Sequence, residues 1–158
     1  MAALESIEEC WFARHLLACF YYNKRSYNKA IAFWQRCVEM SPEFADGWRG
    51  LAIHAWNKQH DYELAARYLD NAYQLAPQDA RLLFERDLLD KLSGATPEKR
   101  LARLENNLEI ALKRDDMTAE LLNLWHLTGQ ADKAADILAT RKFHPWEGGE
   151  GKITSQFI

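Results

Sequence analysis

The hydrophobic and polar positions of this chain follow a helical period along most of its length. Apolar residues recur at three- and four-residue spacing, in segments rich in Ala, Leu, Glu, Lys and Arg, whose side chains lose little freedom in a helix. Glycine and proline are scarce and fall in clusters between these segments. The pattern predicts an all-α fold with helices over residues 4–24, 27–40, 45–58, 61–75, 79–92, 97–113, 116–128 and 131–140.

Two long stretches of the chain match each other at a period of about 34 to 35 residues. The match requires a one-residue insertion in the second stretch, which is predicted to lie in the turn before residue 62. The aligned segments are residues 17–18 with 51–52, 23–24 with 57–58, 27–30 with 62–65, and 39–43 with 74–78.

The matched residues fit a pair of packed helices. Ala30 and Ala65 are small enough to let the two helices of a repeat approach closely. Trp34 and Leu69 follow four residues later and fill the groove beside them. A proline then ends each stretch, because it cannot continue a helix. The two stretches are therefore predicted to be two helix–turn–helix repeats.

A third repeat is predicted with a weaker match. Its first helix carries Arg86-Asp87 where the other repeats have Leu and a small residue, and Gly94 is predicted to end that helix in the left-handed conformation. Thr96 and Pro97 then start the next helix as N-cap and first helical residue. Its predicted apolar stripe consists of Leu101, Leu104, Leu108 and Leu112.

A fourth repeat is predicted from Asp115 onward. A turn at Thr128-Gly129 separates its two helices, and the second helix carries two apolar pairs at residues 134–135 and 137–138. The residues of its first helix that are predicted to face inward are Leu121, Leu122, Leu124, Trp125 and Leu127.

The repeat resembles the tetratricopeptide repeat (TPR), a helix–turn–helix unit of 34 residues. The resemblance implies a right-handed TPR-type solenoid of about four units over residues 1–140. It also implies a scaffold for protein or peptide partners with no catalysis of its own. Because the terminal repeats lack a polar outer face, self-association into a homo-oligomer is a further expectation.

The segment 141–158 forms a second predicted region. Three glycines fall within residues 148–151 and follow Pro145, so this part is predicted to be a Gly-rich loop. Residues 153–158 resemble the opening of a further helix, and we expect the chain to be truncated relative to a longer one.

The string Phe-His-Pro-Trp-Glu-Gly-Gly-Glu-Gly-Lys at residues 143–152 resembles a motif of a family of long bacterial TPR proteins. In that family the repeats follow a β-rich domain of unknown function. The resemblance implies that such a domain, similar to the mutarotase-like folds of carbohydrate-processing proteins, is a partner of this chain.

The loop offers the best candidates for ligand contact, namely His144, Trp146, Glu147 and Glu150. Two carboxylates and a histidine suit acid–base chemistry or a metal ion, and an indole can stack on a sugar ring. The alternative function is therefore a segment that completes a carbohydrate-active site in a larger enzyme. The competing interpretation is that proline and glycines shape a tight loop, Trp146 fills an apolar hole and the acids cap a helix.

The first helices of the repeats are predicted to line a concave binding groove. Its proposed binding residues are Phe12, His15, Tyr22, Asn23, Arg49, Trp56, Asn57, Arg81 and Phe84, and the same face carries Cys19, Asp46, Ile53 and Leu88. Aromatic side chains mixed with Arg and His suit a protein partner. The aromatic–Asn pairs at residues 22–23 and 56–57 are candidates for clamping a backbone, with packing between repeats as the alternative. The groove lacks the Lys and Asn pattern of receptors for a C-terminal carboxylate.

Charge and cysteine usage narrow the function further. The net charge of −3 is spread along the chain, which disfavours nucleic acid and makes a DNA-associated regulator the weakest hypothesis. No segment is apolar enough to span a membrane. Cys10, Cys19 and Cys37 show no paired spacing, so we predict reduced thiols, no metal, no cofactor and a cytoplasmic location.

Overall fold

A computed structural model describes residues 10–143 of the chain. Within that range it contains nine α-helices, one π-helical segment and no strand, which confirms the all-α prediction. The helices are α1 Trp11–Asn23, α2 Tyr27–Met40, α3 Ala45–His54, α4 Tyr62–Leu75, α5 Ala80–Leu92, α6 Pro97–Glu105, α7 Leu108–Ala111, α8 Asp115–Leu127 and α9 Ala131–Thr140, and the π-helical segment is Ala55–Gln59.

The chain divides into two compact units between Leu89 and Asp90. In the N-terminal unit, Ala18, Ala30 and Ala65 are completely buried, as their small size at the helix crossings predicts. The predicted boundary between a repeat domain and residues 141–158 lies at the edge of the described range and stays a prediction. None of the described helices is long and apolar enough to span a membrane.

The backbone of the turns reveals four repeats more clearly than the side chains do. Four described residues have positive φ, and they are Arg25 (59°), His60 (55°), Gly94 (79°) and Gly129 (77°). Each lies in the turn between the two helices of one repeat, at intervals of 35, 34 and 35 residues. The same left-handed turn therefore recurs in all four predicted repeats, and Gly94 adopts the predicted conformation.

The one-residue insertion of the second repeat lies within a helix, so the prediction that it lies in the turn is wrong. Residues Ala55–Gln59 continue α3 as a π-helix, and the His60 N–H donates to the carbonyl of Ala55, five residues back. A π-helical turn holds one residue more than an α-helical turn. The predicted helix 45–58 thus changes hydrogen-bonding pattern near its end, and the extra residue is absorbed before the turn begins.

The prediction of one continuous helix over residues 97–113 is wrong, because the helix is interrupted at Asn106 and Asn107, between α6 and α7. The Asn107 side-chain amide donates to the carbonyl oxygen of Arg103 (2.9 Å), so it competes with the next helical hydrogen bond. The break also changes the buried face. Leu108 of the predicted apolar stripe is 38% exposed, whereas Ile110 is buried.

The C-terminal unit buries most of the residues predicted for its first helix. Leu121, Leu122 and Leu124 are fully inaccessible. Trp125 is also buried, and its indole N–H donates to Glu105 Oε1 at 2.9 Å. Leu127 was predicted to face inward, but it is 58% exposed at the last turn of α8, so that prediction is wrong.

Candidate functional site

The predicted groove residues lie on α1, α3 and α5 and on the π-helical segment that continues α3. Apart from Asn23 and Asn57, they follow one another at spacings of three and four residues, which place each set on one helix face. All of them fall within the N-terminal unit. Three are exposed, namely Phe12, Asn23 and Asn57, and the remainder are partly buried.

His15 and Cys19 lie on α1, and His15 packs beside the start of α3. The imidazole Nε2 lies 3.6 Å from the Cys19 thiol, and its ring packs edge-on against Phe44 at 5.0 Å between centroids. Burial lowers the pKa of His15, Asp46 opposes that change and Arg49 adds to it. A neutral imidazole beside a protonated thiol is the result, since burial also raises the pKa of Cys19.

Ion pairs connect the surface of α3 with that of α5. Arg49 binds Glu85 through two nitrogens, and its Nε lies 2.8 Å from Glu85 Oε2. Arg81 Nη2 donates to Asp46 Oδ1 and to Asp79 Oδ2, both at 2.9 Å. The two arginines predicted to bind a partner are therefore already neutralised by carboxylates of the same chain.

Glu85 is the residue of this surface that the sequence prediction missed. A signal for it exists in the repeat itself, because Asp46 and Arg81 occupy matching positions one repeat apart and carry opposite charges. Charged side chains that lie on one face of adjacent parallel first helices can pair across the repeats. One helical turn further along each helix, Arg49 follows Asp46 and Glu85 follows Arg81. The same comparison therefore places Glu85 opposite Arg49.

The aromatic rings of the two aromatic–Asn pairs contribute to packing. Tyr22 contacts the rings of Tyr27 (5.1 Å) and Trp34 (5.3 Å), and burial raises the pKa of its phenol. Trp56 is partly buried against the core of the N-terminal unit. The Asn23 and Asn57 side chains remain exposed beside these rings, so their role in clamping a backbone stays a prediction.

Two phenylalanines give the groove apolar surface. Phe12 is 48% exposed and meets the His15 ring at 6.4 Å. Phe84 is partly buried on α5, and Ile53 and Leu88 share that intermediate exposure. The groove therefore presents aromatic and aliphatic side chains around a set of internally paired charges.

Trp34 and Trp48 contribute to packing. Trp34 is 4% exposed and its ring lies over Gly50, where an added Cβ would come within 2.3 Å of Cε2. The Trp48 indole donates to the carbonyl of Pro42 at 2.7 Å and packs on Tyr68. Both tryptophans therefore pack against residues of the same chain.

The loop residues His144, Trp146, Glu147 and Glu150 lie outside the described residues. Within residues 10–143, no group of three or more His, Cys, Asp and Glu side chains is arranged to hold a metal ion. Burial raises the pKa of the Cys37 thiol to about 11, which keeps it protonated and unreactive.

No family model matches the sequence. The structure is similar to that of YrrB, described as a TPR protein with an unusual peptide-binding site, at 17% identity and a TM-score of 0.70 over 87% of this chain and 70% of that one. It is similar to MamA at 16% identity and a TM-score of 0.67, over 87% and 80% of the two chains. A thermophilic TPR protein of Thermus thermophilus matches at 20% identity and a TM-score of 0.58, over 98% and 83%.

These likenesses confirm the TPR-type fold that the repeat predicts. They do not reach the long bacterial family with a β-rich domain, and that resemblance stays a prediction.

Proposed function

We propose that this chain is a protein-interaction module that binds a protein or peptide segment in the groove across α1, α3 and α5, with no catalysis of its own. The observation that carries the proposal is the state of the groove charges. Arg49 and Arg81 are bound to Glu85 and Asp46, while the aromatic surface at Phe12 remains accessible. Such a groove favours a partner that brings apolar side chains.

A free C-terminal carboxylate is a poor match for this groove. A carboxylate that approached Arg49 would have to displace Glu85, which binds that guanidinium through two hydrogen bonds. An internal apolar segment needs no such exchange. YrrB, which shares the fold, has a peptide-binding site, and this supports the choice of a peptide-like ligand.

The proposal can be tested with a phage-displayed library of random peptides, followed by fluorescence anisotropy on the selected peptides. We expect selected peptides to contain aromatic or aliphatic residues and to bind equally well when their C-terminus is amidated. Phe12→Ala and Asn57→Ala should each weaken binding by about tenfold, because both side chains are accessible in the groove.

Leu75→Ala is the matched control, since Leu75 is 42% exposed but lies on a second helix outside the groove. Peptides whose affinity changes with Leu75→Ala and not with the groove variants would show that the groove is not the binding site. A strict requirement for a free C-terminus would contradict the neutral-groove argument.

The finer identity of the partner rests on the resemblance at residues 143–152. In a bacterial, cytoplasmic parent protein, the partner would be that protein's own β-rich domain. The alternative, a segment that completes a carbohydrate-active site, predicts that Glu147→Gln with Glu150→Gln in the full-length protein abolishes turnover and leaves helicity unchanged. Full activity of that variant would remove the alternative.

A further inference from the structure

The first described helix, α1, exposes large apolar side chains on one face. Leu16 is 54% exposed and Phe20 is 53% exposed. They are one helical turn apart and form what we call the head face. An exposed apolar stripe on a helix that is otherwise packed marks a surface for association.

The equivalent residues of the other first helices are covered by the preceding repeat. The turn residues of positive φ fix the equivalence once the inserted residue of the second repeat is allowed for, so Phe20 corresponds to His54 on α3, Leu89 on α5 and Leu124 on α8. These three are 7%, 1% and 0% exposed. His54 packs against Tyr27 of the preceding repeat, at 6.1 Å between rings.

The position of Leu16 shows the same rule. Its equivalent on α3 is Gly50, which lies against Trp34 of the first repeat. Its equivalent on α8 is Glu120, which accepts a hydrogen bond from Arg100 of the third repeat at 2.6 Å. In each inner repeat this helix face is an interface with the repeat before it.

The last described repeat exposes the opposite side of that interface. Trp34 and Leu69 are buried where they meet the next repeat, but the equivalent Leu138 on α9 is 38% exposed. Ala131 and Ala135, on the same side of α9, are exposed as well. We call these three residues of α9 the tail face.

We propose that two copies of this chain associate head to tail, with the head face of one copy packed on the tail face of the other in the register that α3 and α2 use within the chain. We assign a second copy as the partner because, in the inner repeats, the residues equivalent to the head face are covered by the preceding repeat of the same chain. The tail face is the equivalent covering surface, and it is exposed. Side-chain size also fits, since a large Trp34 over a bare Gly50 is replaced by Leu138 over Leu16.

Charge supports the same register. Lys58, the equivalent of Lys24, places its Nζ 4.7 Å from the ring centroid of Tyr27 in the preceding repeat. Tyr27 is equivalent to Ala131, so Lys24 of one copy would lie over Ala131 of the other, beside the exposed Asp132. Opposite charges at the edge of an apolar contact favour this pairing over a head-to-head one.

A head-to-tail contact is heterologous, so each copy has one free head and one free tail and association continues with rising concentration. The head face shares α1 with Phe12 of the groove, but the tail face on α9 and the groove residue Asn57 lie on different helical segments. The proposal is therefore independent of the proposed peptide binding, and the groove variant Asn57→Ala should leave self-association unchanged.

Sedimentation velocity on the full chain over about a hundredfold range of concentration tests the proposal. The wild type should associate as concentration rises. Leu16→Glu with Phe20→Glu, the head variant, and Leu138→Glu, the tail variant, should each weaken association on the order of a hundredfold. An equimolar mixture of the two should form a one-to-one dimer that does not grow, because one intact head then meets one intact tail.

The proposal is overturned if the wild type stays monomeric over the whole concentration range. It is also overturned if the tail variant associates as strongly as the wild type does. A milder pair guards against misfolding of the glutamate variants. Lys24→Asp and Asp132→Lys should each weaken association, and mixing them should restore it, whereas no recovery on mixing would refute the register.

Discussion

One helix from each unit shows how the same position can be packed in two different ways. Gly50 on α3 and Glu120 on α8 are equivalent, and both face the preceding repeat. Gly50 leaves room for the buried ring of Trp34. Glu120 instead accepts hydrogen bonds from Arg100 and Lys91 at 2.6 and 3.0 Å.

The difference teaches that this position must complement the previous repeat but does not dictate how. On α3 the contact depends on complementary size, and on α8 it depends on complementary charge. Glu85, at the matching position of α5, also makes an ion pair, with Arg49. A consensus of residue types therefore hides the shared role. Only the contact made with the preceding repeat is common to the three helices.

Removal of the charge on α8 should have the largest effect. Glu120→Ala removes the carboxylate that Arg100, whose side chain is 5% exposed, binds at 2.6 Å, and we expect a loss of about 3 kcal/mol in the free energy of unfolding. Urea unfolding followed by far-UV circular dichroism measures it. Arg100→Leu combined with Glu120→Leu should lose less than the sum of the two single changes, because each single change leaves one charge of this pair without the other.

The pH dependence of stability provides a second test of this ion pair. Burial opposes ionisation of Glu120, but hydrogen bonds from Arg100 and Lys91 hold its pKa below the ordinary value. A carboxylate with a depressed pKa stabilises the fold above its unfolded pKa of about 4.3, and this contribution is lost as pH falls through the folded pKa. The difference between wild type and Glu120→Gln should therefore shrink in acid. A difference that grows there would contradict the assignment.

The equivalent change on α3 should cost somewhat less. In Gly50→Ala the new methyl group would lie 2.3 Å from Trp34 Cε2, so the ring or the helix must shift. Overpacking of about 3 kcal/mol, offset by about 1 kcal/mol of helix propensity, predicts a net loss of about 2 kcal/mol. Thermal and urea unfolding measure it. Stability equal to wild type would mean that Trp34 does not pack as described. Gly50→Ala should cost less in a Trp34→Leu background than it costs in the wild type.

The smallest effect is expected at the turns. Arg25 and His60 adopt the left-handed conformation that glycine provides at residues 94 and 129. A Cβ at Gly94 would meet no atom within 4 Å, so Gly94→Ala should cost about 1 kcal/mol from backbone strain alone. Arg25→Gly should gain about 0.5 kcal/mol, because the relief of strain exceeds the cost of the extra conformational entropy that glycine gives the unfolded chain. Opposite signs in urea unfolding are the expected result, and equal signs would disprove a shared turn.

The sequence predicted the helices and the repeat because both rest on local patterns. Residues 27–40 and 131–140 form helices with the predicted bounds, since apolar spacing and flanking turn residues agree there. The break at Asn107 could not be read from apolar spacing, because an Asn side chain that captures a carbonyl interrupts the helix without changing the hydrophobic pattern.

The candidate site was less accessible to sequence reasoning. Helix geometry predicts which face would form the groove, but the state of the charges on that face depends on contacts between repeats. The sequence predicts that Arg49 is available to bind a partner, but in the structure it binds Glu85, 36 residues later. Exposure at the ends of helices was equally hidden, as Leu127 shows.

The π-helical segment Ala55–Gln59 has a consequence for how such arrays change length in evolution and design. The added residue is taken up within one helical turn, so the helices that follow keep their phase relative to the rest of the array. An alignment of these repeats should open its gap inside the helix, and not in the turn after it. A designer who deletes one residue from this segment should recover a uniform 34-residue unit, ready to be copied in tandem.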